Sequence, residues 1–191
     1  MNKGVNSTEN LIGLRIRKMD TNDARIISNA FKAQGWNKPM EIYRNYFSEQ
    51  KNDERVTLIA EIDDKFVGYI NIKWKSSYPL FFTNKIPEIV DLNVLIKYRR
   101  MGIGNKLMDK AEEMIKEQSD FAGIGVGLFP DYGPAQIMYI KRGYVPDGKG
   151  IYKKNSYVKF GETVIIDDDI VLHFIKELAQ LAPRRNVIYS R

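Results

Sequence analysis

Tyr98-Arg99-Arg100-Met101-Gly102-Ile103-Gly104-Asn105-Lys106 reads YRRMGIGNK, two arginines and two closely spaced glycines directly after an apolar run. Glycine lets backbone N–H groups approach an anion with no Cβ in the way. A helix opening at Ile103 adds unsatisfied donors and the positive end of its dipole. The stretch therefore reads as an anion held against backbone. Two familiar phosphate motifs do not fit it. The dinucleotide fingerprint G-x-G-x-x-G needs a third glycine where Leu107 stands. The pattern G-x-x-x-x-G-K-[ST] has a near miss at residues 143–150, but Gly150 replaces the hydroxyl residue that would hold magnesium.

Working outward, Pro87 precedes a strand over residues 88–95. After the glycines, Ile103, Leu107, Ala111, Met114 and Ile115 form the apolar stripe of a helix. Residues 122–129 alternate as a strand, with Gly123, Gly125 and Gly127 on one face. That bare face suits a ligand slot or close packing by a neighbour. A short helix over 135–142 ends at Gly143. Upstream, residues 14–17 read as a first strand. Asp20 and Asp23 resemble a capping box ahead of Ala24, Ile27 and Phe31 at helical spacing. Pro39 opens a second helix with Met40, Tyr43 and Phe47 on one face. Residues 56–62 and 66–74 read as a hairpin, with Phe66, Gly68, Ile70, Ile72 and Trp74 on one side. Residues 76–84 read as a loop, 146–163 as a loop insertion, 170–176 as a last strand and 1–10 as a loose polar tail. Strands and helices mix, so the class is α/β or α+β.

The 191 residues fit one domain, and the composition is globular. With no cysteine there is no disulfide framework, thiolate metal site or cysteine nucleophile. The sequence shows neither a membrane-length apolar run nor a signal-peptide core, so a cytoplasmic soluble protein is expected. The formal charge of +6 is dispersed among acids, which argues against nucleic acid. His173, the single histidine, reads as a satisfied or surface residue. Asp167, Asp168 and Asp169 read as a solvated turn, so no metal is expected.

Arg99-x-x-Gly102-x-Gly104 resembles the [RQ]-x-x-G-x-[GA] loop of the GNAT superfamily of N-acetyltransferases. Residues 91–99 resemble that family's fourth strand and its exit, with Ile96 in place of a common proline. Residues 135–144 resemble its second motif, A-x-x-x-Y-x-x-x-G-[FY], with Tyr132 where an asparagine is frequent. The resemblance covers roughly residues 11–176. It implies the GNAT acyl-CoA N-acyltransferase fold: a mixed central sheet flanked by helices, splayed between strands four and five, in a single domain over 1–191. It implies acetyl-CoA as co-substrate. Leu92 and Val94 would bond the acyl-pantetheine arm, the Val94 N–H would serve as oxyanion donor, and Arg99, Arg100, Met101, Gly102, Ile103, Gly104 and Asn105 would hold the pyrophosphate. An amine would attack the thioester directly. Glu88 is the first candidate base and Asp91 the second. The plain alternatives are a solvated strand-end acid and a burial or capping role. Tyr139 would be the general acid towards the leaving thiolate, its alternative an aromatic core residue. A small-molecule amine is the expected acceptor, with aromatics such as Trp36, Tyr43, Tyr46, Tyr78, Phe81 and Phe82 in the variable segments. A protein N-terminus or lysine, and a non-catalytic acyl-CoA-binding module, are the alternatives. No membrane partner is expected. Homodimers are common for such folds.

Overall fold

The computed structural model describes residues 11–178 of the chain. Alternating and β-branched runs form strands β1 (Leu14–Lys18), β2 (Arg55–Ile62), β3 (Lys65–Lys73), β4 (Glu88–Val94), β5 (Phe121–Gly127), β6 (Val145–Lys153), β7 (Ser156–Tyr157) and β8 (Ile170–Glu177). The helices are α1 (Asp23–Ala33), α2 (Met40–Lys51), α3 (Pro79–Asn84), α4 (Ile103–Lys116) and α5 (Gly133–Lys141). The strands make one sheet of order β1-β2-β3-β4-β5-β8-β6-β7. Only the β4–β5 pair is parallel, so the architecture is mixed α/β, as the sequence predicts.

The sheet is covered on both faces. Leu107, Met108, Ala111 and Ile115 of α4 pack with Leu58, Ala60, Ile70, Ile72, Ile89 and Ile124. On the other face Ile27, Phe31 and Tyr43 of α1 and α2 pack with Ile59 and Tyr69. Neighbouring residues of one strand thus enter opposite cores, as a period of two requires. The α4 stripe is worth roughly 10 kcal/mol of gross burial before chain entropy is set against it.

Three local readings change. Phe66 packs with α1 and α2 instead of sharing a face with Ile70 and Ile72. Ala60 pairs with Gly68 and Glu61 with Phe66, so one extra residue sits in β3 and shifts the alternation by one. Residues 76–84 are not all loop: Pro79 starts α3, which buries Phe81. Residues 146–163, expected as a loop insertion, contain most of β6 and all of β7. β6 pairs with β8, which is inserted between β5 and β6. Of the capping box at α1, the Asp23 carboxylate accepts from the Asp20 N–H at 2.7 Å, whereas the Asp20 carboxylate accepts from Asn22.

Candidate active site

The site is built where β4 leaves β5. Those strands pair only at Glu88–Gly123 and Ile89–Ile124. Beyond, β4 bulges: Asn71 pairs with Val90 and Tyr69 with Asn93, leaving one residue too many in β4. Asp91 takes a left-handed φ of 52° in the bulge. The added twist turns the rest of β4 away from its parallel neighbour, opening a splay along residues 90–94.

At the end of the splay a 3₁₀ turn (Ile96–Tyr98) leads into the YRRMGIGNK loop. Arg100 (φ 63°) and Gly102 (φ 87°) are left-handed, and Gly102 caps α4. The first bond into α4 runs from the Lys106 N–H to the Gly102 carbonyl. The backbone N–H groups of residues 100–105 donate to no described residue. A Cβ on Gly104 would lie 3.9–4.0 Å from Leu92, Val94 and Met138. Leu92, Val94 and the loop, expected together, are therefore together. Arg99 differs. Its Nε donates to the Val94 carbonyl at 3.2 Å and its guanidinium lies 5.2 Å over Trp36, so its side chain ties down the strand exit.

Glu88 is 8% exposed at the start of β4 and is no solvated strand-end acid. Ser76 Oγ donates to its Oε2 at 2.7 Å, and His173 Nε2 lies 3.9 Å from Oε1. Burial raises its pKa, against the Ser76 hydrogen bond and the charges of Lys73 and Arg55. A cleft of about 530 Å³ between β3 and α3, lined in part by Trp74, Phe81 and Phe82, reaches Ser76.

Asp91 belongs to a different cluster. It accepts from Tyr46 Oη (2.8 Å), Tyr69 Oη (2.6 Å) and Asn93 Nδ2 (2.6 Å), and Lys38 Nζ lies 3.7 Å away. Burial and the Asp91 charge raise the pKa of both phenols, which therefore stay donors. Glu88 and Asp91 share no hydrogen-bond partner. Tyr139 is buried on α5, beside the Met138 that closes on Gly104, with Tyr144 edge-on at 6.1 Å. Burial pushes its phenol well above the ordinary value.

Two expectations resolve differently. The glycine face of β5 is filled by side chains. A Cβ on Gly123 would enter the Phe81 ring, one on Gly127 would come within 2.5 Å of Tyr132, and one on Gly125 within 3.2 Å of His173. The slot is a packing surface. His173 is neither satisfied nor on the surface: it is 4% exposed, and its Nδ1 has no hydrogen-bond partner among the described residues. Sequence reasoning missed His173 and Ser76 because nothing near them in the chain marks them. Tyr43, Tyr78 and Phe81, expected among acceptor-facing aromatics, are core residues at 0–2% exposure.

A parallel pair that stops pairing after two positions, a bulge on β4 and the N-terminus of α4 thus make up the site. The chain belongs to the acetyltransferase (GNAT) family, which it matches over residues 22–144. It is 37% identical over 79 residues to an uncharacterized N-acetyltransferase of Archaeoglobus fulgidus, covering 40% of this chain and 52% of that protein. It is 32% identical over 110 residues to an N-alpha-acetyltransferase of Sulfurisphaera tokodaii, covering 54% and 66%. The chain thus spans between half and two thirds of the length of these relatives. The fold is similar to yncA of Salmonella typhimurium, solved with its cofactor acetyl-CoA: TM-score 0.63, 15% identity, 90% of this chain and 97% of that one. The residues present fit acetyl-CoA. The N–H groups of residues 100–105 donate to no described residue, and they lie at the N-terminus of a helix, where an anion such as a pyrophosphate is favoured. Among the described residues no helix is long and apolar enough to cross a membrane.

Proposed function

We propose that the protein is an acetyl-CoA-dependent N-acetyltransferase whose acceptor is the primary amine of a small molecule. The observation that carries the donor half is the row of N–H groups over residues 100–105, which have no acceptor among the described residues, at the end of the β4–β5 splay. Those N–H groups hold the pyrophosphate, and the backbone of Leu92 and Val94 lines the acyl arm. The Val94 N–H stabilises the negative charge that develops on the thioester oxygen. Glu88 takes the proton of the attacking amine, directly or through water, and Tyr139 supplies the proton to the departing thiolate.

Asp91 is better suited to orienting than to abstracting. Three donors already occupy its oxygens, and an ammonium, that of Lys38, lies beside it and 5.0 Å over the Phe31 ring. Lys38 marks the place beside half-buried Tyr46 and Asp91 as one compact cation seat; a substrate ammonium takes it by displacing Lys38, and its size favours a small cationic amine over an extended chain. The kinship with the Sulfurisphaera enzyme favours a second reading, a protein N-terminal amine.

The test is CoA release from acetyl-CoA with a panel of polyamines, amino sugars, free lysine and peptides with free N-termini. A small amine should give the highest kcat/KM. Peptides alone being turned over would establish the second reading. Binding of acetyl-CoA with no release for any amine would leave a non-catalytic binding module.

A further inference from the structure

His173 has no part in the scheme above, yet its setting is built. It reaches from β8 over Gly125, where the missing Cβ makes room for the imidazole edge. Tyr78 lies flat on the ring, centroids 3.6 Å apart and planes within 4°. Phe81 and Tyr152 press on it edge-on at 5.4 and 5.6 Å. The ring cannot turn without displacing three aromatics. In this orientation Nε2 faces Glu88 Oε1 at 3.9 Å, and the buried Nδ1 faces no partner among the described residues.

That asymmetry fixes the tautomer. A neutral imidazole carries one N–H. An orphaned buried N–H costs more than an idle acceptor lone pair. At 3.9 Å Nε2 makes no hydrogen bond either, but it alone faces an acceptor, so the proton belongs on Nε2 and Nδ1 keeps the lone pair. Burial keeps the ring neutral, its pKa lowered to about 4.

We propose that His173 is a positioning residue for Glu88, donating its Nε2–H to Oε1 of the ionised carboxylate while Ser76 donates to Oε2. The proposal rests on the reading of Glu88 as base and names what keeps that base usable. Burial alone favours the protonated carboxyl, which cannot accept a proton. Two neutral donors restore the carboxylate without placing a new charge beside an arriving amine. Closing the remaining gap turns the carboxylate about its last torsion, which is soft, and the Ser76 hydroxyl follows Oε2 as it moves. The charged groups around the pair are few. Lys73 from β3 and Arg55 from β2 act on Glu88. Asp147 from β6 acts on His173 and accepts from Tyr78, which also receives the Tyr157 hydroxyl of β7. In the reaction the amine N–H bond breaks towards Glu88, the nitrogen lone pair forms the C–N bond, and the C–S bond breaks towards sulfur. The His173 proton stays on Nε2 throughout.

The chain has one histidine, so one imidazole signal reports on it. Nitrogen NMR of the ligand-free protein should show Nε2 protonated and Nδ1 bare. Titration should move that Nε2–H resonance in step with a glutamate carboxyl, and Glu88→Gln should abolish the step. Carbon NMR should show the Glu88 midpoint rising by about one pH unit in His173→Phe, which keeps a ring in the stack, and returning in His173→Gln, which keeps an N–H. An Nδ1–H tautomer, or a Glu88 midpoint indifferent to His173→Phe, overturns the proposal. If His173→Phe does not fold, the wild-type and Glu88→Gln titrations still decide. These readouts need no acceptor, so they fail separately from the base assignment, which falls if Glu88→Gln keeps full turnover.

Discussion

Asp91 and Tyr139 are the two residues whose roles can be separated most cleanly by single substitutions. Asparagine tolerates the left-handed backbone that Asp91 adopts at φ 52°, and keeps one oxygen for the Tyr46 and Tyr69 hydroxyls. Asp91→Asn therefore removes the charge and the acceptor that Asn93 Nδ2 and Lys38 Nζ face, and keeps the backbone and the two phenol contacts. The KM for a cationic amine should rise about tenfold or more, with the KM for acetyl-CoA unchanged. A tenfold effect is about 1.4 kcal/mol, modest for a half-buried charge pair. Steady-state kinetics in both substrates would show it, and an amine KM that stays put would remove Asp91 from the acceptor seat. Tyr139→Phe leaves the apolar packing of a buried ring in place and deletes only the proton donor. Turnover should fall about a hundredfold while acetyl-CoA affinity, read by calorimetry, holds within about twofold. Unchanged turnover would return Tyr139 to the core.

Among the elements, the loop into α4 and strand β5 use glycine for opposite reasons, and the sequence distinguished them only in part. The loop was legible because its chemistry is local. Spacing, charge and a following helix all lie within a few residues of Gly102. β5 was not, because what fills its glycine face comes from α3, β8 and the turn before α5, far along the chain. β6 was misread for a physical reason. Its register skips between Pro146 and Ile151, where Gly148 and Gly150 adopt φ of 77° and 81°, so a bulged strand carries the composition of a loop. α3 is six residues long, too short for a helical period to show. His173 needed Ser76, Tyr78 and Glu88 brought beside it, and the strand pairings that start this set Glu88 opposite Gly123 and His173 opposite Gly125. Two predictions follow from this contrast. Gly102→Val forces a β-branched residue to φ 87°, so the acetyl-CoA KM should rise about tenfold or more at a strain cost of about 1–3 kcal/mol. Gly123→Ala would drive a Cβ into Phe81 and should lower melting by several degrees with little direct effect on acetyl-CoA KM. If Gly123→Ala behaved like Gly102→Val, β5 would line the donor site after all.

For the molecule as a whole, the buried Glu88–His173 pair ties stability to pH in a way that can be signed in advance. The His173 pKa is about 4 in the fold, against 6.5 ordinarily. Below about pH 6.5 the unfolded chain takes up a proton that the native ring refuses. Stability is lost as pH falls from there towards about pH 4, and levels off below. The loss approaches about 3 kcal/mol, since each unit of difference is worth about 1.4 kcal/mol. Glu88 pulls the other way. Its pKa is raised in the fold, so the native state holds that proton more tightly. Its contribution is complete below the ordinary carboxyl value and disappears as pH rises through the folded one. Lowering the pH from neutral to about 4.5 therefore sets a histidine penalty against a glutamate gain; His173→Phe removes the first and, by raising the Glu88 midpoint, enlarges the second. At this chain length one kcal/mol moves melting by about 2–4 °C. Between about pH 7 and pH 4.5 the wild type should lose about 5 °C or more beyond what His173→Phe loses. Equal losses in calorimetric melts would show that the imidazole is not held neutral in the native core. That outcome would also remove the neutral Nε2–H donor from beside Glu88.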